Sequence, residues 1–376
     1  MPSSQRGAPK YREISDALSR DIRAGRYKPG QKFPSEAALV KRFGVSRITI
    51  GHALRELAQQ QLIDRIAGSG TYVRSARGHI REGLLFGLVI PNLGETEIFE
   101  PICHAIAASP AARGHALLWP HAEMEHVAKE ERPLEMCEQC AARRVSGVFF
   151  APLEMSARSA ELNRKAMKLL RKAGIPVVLL DHRSEDGAAG DRCDLVGIDN
   201  HRAGCVATEH LLKLGARRIG FLARHHQAPT VKERIRGYRD ALANIDGTAR
   251  VFHIRDESPL ELPAPAFDCD AFVCANDRIA GILMHALAAR GLRIPNDVRI
   301  VGIDDVNYAS LLPVPLTTIH QPCREIGETA LKLMIERLDR PKMPARDVLI
   351  DCPLIVRQSC GAAGLSGRRT DPASGM

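Results

Sequence analysis

The stretch Pro34–Arg74, PSEAALVKRFGVSRITIGHALRELAQQQLIDRIAGSGTYVR, decides how the N-terminal part of the chain folds. Ser35 is placed to N-cap a helix whose apolar positions Ala38, Leu39 and Phe43 recur at helical spacing, and Gly44 sits where a glycine ends such a helix. After a three-residue turn, Ser46 caps a second helix with Ile50, Ala53, Leu54 and Leu57 facing inward. Ile48, Gly51, His52 and Arg55 fall on the opposite side, with Arg47 and Thr49 near its start. Two helices joined in this way make a helix-turn-helix. Short polar or basic residues at the start of the second helix suit the base edges of a major groove.

Beyond Gln61 the pattern changes to Leu62–Ile66, the turn Ala67-Gly68-Ser69-Gly70, and Thr71–Val73. This predicts a β-hairpin, which beside a helix-turn-helix is the wing of a winged helix. Its glycines let backbone N–H groups approach a phosphate with no Cβ in the way. PSE, FGVSR followed by Ile48 and Thr49, the AL..L spacing and GSGTYV together are similar to the GntR family of bacterial transcription regulators, over about residues 10–74. Contacts with operator duplex DNA are expected at Ser35, Ser46, Arg47, Ile48, Thr49, His52, Arg55, Gly68, Ser69 and Gly70. Family members often carry Arg where this chain has Ala37 and Gly51, so its base preference is its own.

At 376 residues, 45% of them hydrophobic, the chain can build two or three cores. Its net charge of +9 is unevenly placed: residues 1–83 hold 16 Lys and Arg against 7 Asp and Glu, which leaves 37 of each for residues 84–376. Basic charge confined to one end points to a polyanion for that end and an uncharged or small partner for the other. The ten cysteines follow no disulfide framework, and the N-terminus MPSSQRGAPK is too polar for a signal peptide, so a cytoplasmic protein with reduced thiols is expected. Cys137 and Cys140 form a CEQC step in a helical stretch without a second ligand pair at zinc-finger spacing, and read as structural thiols. No apolar run reaches the length of a membrane span, and no metal or cofactor is called for.

Residues 1–9 read as disordered and Tyr11–Ala24 as an amphipathic helix built on Ile14, Leu18 and Ile22. The basic segment 75–83 reads as a linker, 84–360 as a second domain and 361–376 as a disordered tail. From Leu84 onward short apolar strands alternate with helices: 84–90, 116–119, 147–151, 176–181, 195–199, 218–223, 250–254, 271–275, 299–304 and one long run at 347–356. Continuous Val, Ile and Leu strands between helices predict parallel sheets covered on both faces, with ligands beyond the strand C-termini. Those ends carry Asp181, Arg183, Asp199, Asn200, Asn276, Asp277, Asp304 and Asp305. Carboxylates, amides and a guanidinium converging on one crevice suit a ligand covered in hydroxyl groups.

VGIDN at 196–200, HLLKLGARRIGFL at 210–222, RIRGYRDAL at 234–242, CANDRIAGILMHAL at 274–287, IPNDVRIVGIDD at 294–305 and PLTTIHQP at 315–322 give residues 84–359 a second resemblance. They are similar to the effector region of the LacI/GalR family, which has the periplasmic sugar-binding-protein fold. The expected architecture is an α+β winged helix-turn-helix followed by an α/β, two-lobed periplasmic-binding-protein-like domain with parallel sheets. The lobes would comprise about 84–182 with 322–345, and 183–321 with 346–359. By position the resemblance implies ligand contacts at Phe99, Asp181, Arg183, Arg234, Asn276, Asp304 and Gln321, and the strand-end pattern adds Asp199. Phe99 fits a sugar-stacking platform or a core position; Asp199 and Asp304 fit ligand contacts or caps; Asn200 and Asp305 read as structural. Thr96-Glu97-Ile98-Phe99 replaces the family's Asn-Pro-Phe-Phe, and His182 stands between Asp181 and Arg183.

No G-x-S-x-G elbow, Walker-type loop or metal-ligand spacing supports catalysis. The sequence therefore predicts a regulator that is not an enzyme: a homodimer on a palindromic operator, repressing carbohydrate-use genes under the control of a small effector. The neutral second domain favours an uncharged sugar, with a nucleobase or nucleoside as the alternative.

Overall fold

The computed structural model describes residues 10–28, 31–60, 62–66, 70–73, 83–91, 97–120, 130–154, 156–184, 193–225, 227–245, 247–254 and 262–362. The linker segment 75–82, the wing-tip residues Gly68 and Ser69, and the two terminal segments 1–9 and 363–376 lie outside them. The chain divides into two units that meet between Glu82 and Gly83.

In the first unit α1 (Lys10–Arg23), α2 (Glu36–Phe43) and α3 (Arg47–Gln59) precede the antiparallel pair β1 (Ile63–Ile66) and β2 (Gly70–Val73), in register Ile63 to Val73. The segment Gln31–Phe33 flanks β2, through Phe33 N–H to Thr71 O at 2.7 Å and Val73 N–H to Gln31 O at 2.8 Å. The predicted ends of both helices are present. Ser35 accepts from Ala38 N–H and Ser46 from Thr49 N–H, while Gly44 closes α2 at φ 64°, a left-handed conformation that glycine adopts without a Cβ penalty. The inward stripe Ile50, Ala53, Leu54 and Leu57 is fully buried against Leu18, Leu39 and Phe33. Arg42 bridges the element ends, bonding Asp21 at 2.8 Å and Tyr27 at 2.9 Å, and this hydrogen bond holds the Asp21 carboxyl below its usual range.

The second unit runs β3 (Leu85–Val89), α4 (Phe99–Ala108), β4 (Ala116–Leu118), α5 (Arg132–Ala142), β5 (Gly147–Phe150), α6 (Ser159–Lys172), β6 (Val177–Leu180) and β7 (Asp194–Ile198). It continues with α7 (Asn200–Lys213), β8 (Ile219–Arg224), α8 (Pro229–Ala243), β9 (Arg250–Ile254), β10 (Ala271–Cys274), α9 (Asp277–Ala288) and β11 (Arg299–Asp304). It ends with β12 (Thr317–His320), α10 (Cys323–Asp339), β13 (Asp347–Ile350) and β14 (Leu354–Ile355). Two six-stranded sheets result, in the orders β13-β7-β6-β5-β3-β4 and β14-β12-β11-β10-β8-β9, parallel except for β14.

Each sheet is buried on both faces, which is why its strands read as unbroken apolar runs. In the first lobe Phe86, Phe149 and Val178 pack toward α4 and α10, and the alternate residues Val148, Phe150 and Val177 toward α5 and α6. In the second lobe Phe221, Val273 and Val301 face α7 and α8, and Leu222, Phe272 and Ile300 face α9.

Three details correct the sequence reading. The run at 347–356 is two strands, β13 in the first sheet and β14 in the second, broken around Pro353. Residues 317–320, absent from the expected strands, form strand β12. The lobe boundary lies after β7, because β7 pairs with β6 rather than joining the second sheet. The chain therefore passes between lobes at 198–200, 320–323 and 350–354.

Candidate functional site

On the first unit the α3 face opposite the buried stripe is open. Side chains of Arg47 and Ile48 are each 75% exposed, the latter unusual for isoleucine, and His52 and Arg55 are exposed one and two turns on. Arg47 lies 3.5 Å from Glu36, the His52 ring lies tilted with its centroid 5.8 Å from that of Tyr11, and Arg55 donates to Gly51 O. Ser46 and Thr49 share a 2.9 Å hydroxyl contact, so these two residues fix the helix start rather than standing free. Ser35 is likewise a cap, and Gly70 opens β2. The surface can lay a basic, partly apolar helix face in a major groove, with guanidinium for guanine and Ile48 for a thymine methyl.

The second unit places its polar constellation between the lobes. Two glycines set it up. A Cβ on Gly204 of α7 would lie 2.0 Å from Arg234 O, and one on Gly237 of α8 would lie 1.9 Å from His201 O, so the helices pack backbone to backbone. That approach brings Arg234 inward, where it is 4% exposed and donates to Asn200 Oδ1 at 2.8 Å, Ala275 O at 2.6 Å and Asp304 Oδ1 at 3.3 Å. Asp304 closes β11 at φ 122° and Asp181 follows β6 at φ 71°. Both are L-residues in a region that disfavours them, and both line the same cavity.

Asp304 is held by its surroundings. Buried Asp277 accepts from Thr318 Oγ1 at 2.5 Å and from Val306 N–H at 3.0 Å, while Asp305 receives His320 at 2.8 Å and Arg357 at 2.7 Å. Asp305 is thus taken up by His320 and Arg357, and Asn200 by Arg234.

The cavity, about 90 Å³, is lined by Ile98, Phe99, Asp181, Arg234, Asn276 and Asp304 among others. Phe99, at the start of α4 and 7% exposed, contributes to the core and to the cavity wall together. Asn276 lines the wall and caps α9 through Ile279 N–H. Gln321, 1% exposed, donates to Asp181 at 3.4 Å, and among the described residues its Oε1 has no hydrogen-bond partner.

Two expected residues are not brought here. Arg183 turns away after Asp181, pairs with Asp347 and donates to Cys193 O at 2.9 Å. Asp199 caps α7 through Arg202 N–H at 2.9 Å. Conversely Glu154, Arg224, Gln227, Thr230 and Arg278 line the cavity unforeseen. Arg224 ends β8 and obeys the strand-end rule, whereas nothing in the sequence around Glu154, beyond β5 in a proline-containing loop, sets it apart.

Burial dominates the electrostatics. It pushes Asp304 up to about 7 against the opposing charge of Arg234, Glu154 up to about 7 against that of His182, and Asp277 up to about 8 with Asp304 adding to the shift. Burial would raise Asp181 too, but the hydrogen bond and charge of His182, with Arg234 and Gln321, outweigh it and hold this carboxyl below its usual range. The site therefore offers hydroxyl groups both a carboxylate acceptor and carboxyls able to donate near neutral pH. Glu154, Asp181 and His182 bring donor atoms within 4.8 Å of one another, a set that could hold a cation, yet Arg234 already supplies positive charge to both carboxylates. Cys137 and Cys140 lie buried in α5, their thiols pushed up by desolvation, Cys140 to about 11. Among the described residues no helix is long and apolar enough to cross a membrane.

Residues 10–73 match the model of the bacterial regulatory proteins of the gntR family, and residues 208–360 that of a periplasmic binding protein-like domain. The chain is 28% identical over 373 residues to the arabinose metabolism transcriptional repressor of Geobacillus stearothermophilus, covering 93% of this chain and 97% of that one. It is also 28% identical to the HTH-type transcriptional repressor PurR of Photobacterium profundum, over 84% of this chain and 95% of the relative. A crystal structure of a LacI family transcriptional regulator from Enterococcus faecium with bound ribose shares the fold, with TM-score 0.59, 22% identity, and coverage of 73% of this chain and 98% of that one.

Proposed function

We propose that this chain, a transcriptional regulator and not an enzyme, built from a gntR-family DNA-binding domain and a periplasmic binding protein-like domain, represses carbohydrate-use genes under control of a sugar-like effector bound between its lobes. It acts in the cytoplasm as a homodimer on a palindromic operator, α3 of each copy reading one half-site. The observation that carries the effector reading is the buried set Asp181, Arg234 and Asp304, two carboxylates and a guanidinium converging on one cavity from both lobes. Such groups bond vicinal hydroxyls in a fixed plane, and Phe99 and Ile98 supply the apolar wall that a sugar ring needs. The relative named as an arabinose metabolism transcriptional repressor supports the same class.

A cavity of about 90 Å³ is smaller than one that encloses benzene, so the lobes must part to admit a ligand and close on it. Only a ligand that prefers one lobe arrangement shifts operator affinity. The test is a thermal-shift screen of the full chain over monosaccharides, disaccharides, sugar phosphates and nucleobases, followed by operator gel shifts with each hit. A ligand at 100 times its Kd stabilises by about 2.7 kcal/mol. A sugar that both stabilises the sensor and releases operator supports the proposal; a response to nucleobases alone replaces it.

A further inference from the structure

We propose that Lys32, which lies outside both the helix-turn-helix and the hairpin, is a further DNA-binding residue, holding a backbone phosphate between the start of α2 and the wing. This rests on reading α3 and the wing as the DNA surface.

The backbone fixes where Lys32 stands. Gln31–Phe33 runs along the edge of β2 that β1 leaves open: Phe33 N–H donates to Thr71 O, Val73 N–H donates to Gln31 O, and Lys32 pairs with Tyr72 between them. Phe33 is 3% exposed and packs into the core of the first unit with Val73. Side chains alternate along an extended segment, so Lys32 turns to the opposite face, where it is exposed.

Its side chain is placed by what it lies against. A Cβ on Gly70 would stand 3.0 Å from Lys32 Cε and 3.7 Å from its Nζ. The stem therefore runs back along β2 toward the glycine that opens this strand, and the ammonium sits at the wing end of the sheet. Gly70 has φ 125°, a conformation open to glycine and costly for other residues, and it leaves the space that the stem occupies. A lysine already laid along a strand loses less rotamer freedom on binding than one extended into solvent.

The charge is also uncommitted. Arg26 and Arg42 pair with Asp21, Arg47 lies against Glu36 and Arg55 donates to Gly51 O, whereas among the described residues Lys32 makes no ion pair. Ser35, the cap of α2, follows three residues later, a span of at most about 11 Å. One ammonium thus stands between two elements expected to touch the duplex. A compact cation with three N–H donors suits phosphate oxygens and carries no base preference.

The experiment is fluorescence anisotropy of the full chain on a labelled random-sequence duplex of about 30 base pairs, titrated from about 50 to 300 mM KCl; no operator is needed, because phosphate contacts are read by their salt dependence. Lys32→Gln should flatten the plot of log K against log salt by about 0.9, which is some eight-fold in affinity per ten-fold of salt. Lys32→Arg should keep the wild-type slope. Lys332→Gln, which removes an exposed charge from α10 of the second unit, should leave the slope unchanged. An unaltered slope in Lys32→Gln would overturn the proposal even if binding weakens, since structure and not a phosphate contact would then have been lost. An equal flattening by Lys332→Gln would overturn it as well, by showing an effect of net charge alone. If the wild type binds no duplex, the reading of α3 and the wing falls too.

Discussion

Replacing Asp304 with asparagine should flatten the pH dependence of the effector unit's stability. The carboxyl is buried at the end of β11 and lies near 7 when folded, against 3.8 for its ordinary value. Between those values the folded state binds more protons than the unfolded chain. Its contribution to stability is therefore complete below about 3.8 and is lost as pH rises through 7. One proton is worth about 1.4 kcal/mol per pH unit, so the window spans at most about 4 kcal/mol, and about 2.3 of this falls between pH 5 and 7.

Glu154 and Asp277, also raised, act in the same direction, so the wild type should lose stability with rising pH and the variant should lose less. Trp119, the only tryptophan, lies just beyond β4 in the effector unit and reports on that unit alone when urea unfolding is followed by fluorescence at pH 5, 6, 7 and 8. An Asp304→Asn slope equal to that of the wild type would refute the reasoning. It would mean that Arg234, 3.3 Å away, keeps the carboxylate ionised throughout.

Arg47→Ala should weaken operator binding by about 1–3 kcal/mol if the guanidinium reads a guanine, and should weaken all duplexes alike with a shallower salt dependence if it meets phosphate; gel shifts at several salt concentrations separate the two. Gly51→Ala adds a Cβ with nothing within 4 Å. It should stabilise the first unit by about 0.5–1 kcal/mol in a thermal melt, and a loss of operator affinity alongside would show that DNA approaches this face closely. A flexible Gly/Ser insert in the 75–83 linker should preserve effector affinity in calorimetry while shrinking the effector's influence on operator binding, which coupling of about 1–3 kcal/mol would otherwise make some 5–150-fold. Undiminished influence would exclude transmission through the linker.

Local chemistry made the first unit legible. Caps at Ser35 and Ser46, a C-terminal glycine and a four-residue buried stripe each state their own geometry, and all lie where the pattern put them. Strand periodicity served the second unit nearly as well, with exceptions that have a cause. Thr317–His320 contains two threonines between proline-bearing segments, and its central position between β11 and β14 buries those threonines fully, which periodicity alone does not announce.

The cleft was half legible. Asp181 and Asp304 end strands and enter it. The positive φ at Asp181 sends the chain aside, so Arg183, two residues on, reaches Asp347 on the sheet edge instead. Glu154 carries no sequence signal, because a glutamate in a loop is ordinary until the fold buries it.

The three passages of chain between the lobes have a mechanical meaning. Three tethers oppose sliding of the lobes past one another and leave rotation about the line of tethers as the soft motion. Two of the tethers attach at β12 and β14, on one side of the second sheet, while β9 lies on the far side, four strands from β12. At about 4.8 Å per strand that is an arm of roughly 19 Å, so a rotation of about ten degrees sweeps the β9 margin through some 3 Å. A contact at that margin has several times the leverage of an equal contact beside β11, and weak bonds placed there resist opening as effectively as strong ones near the axis.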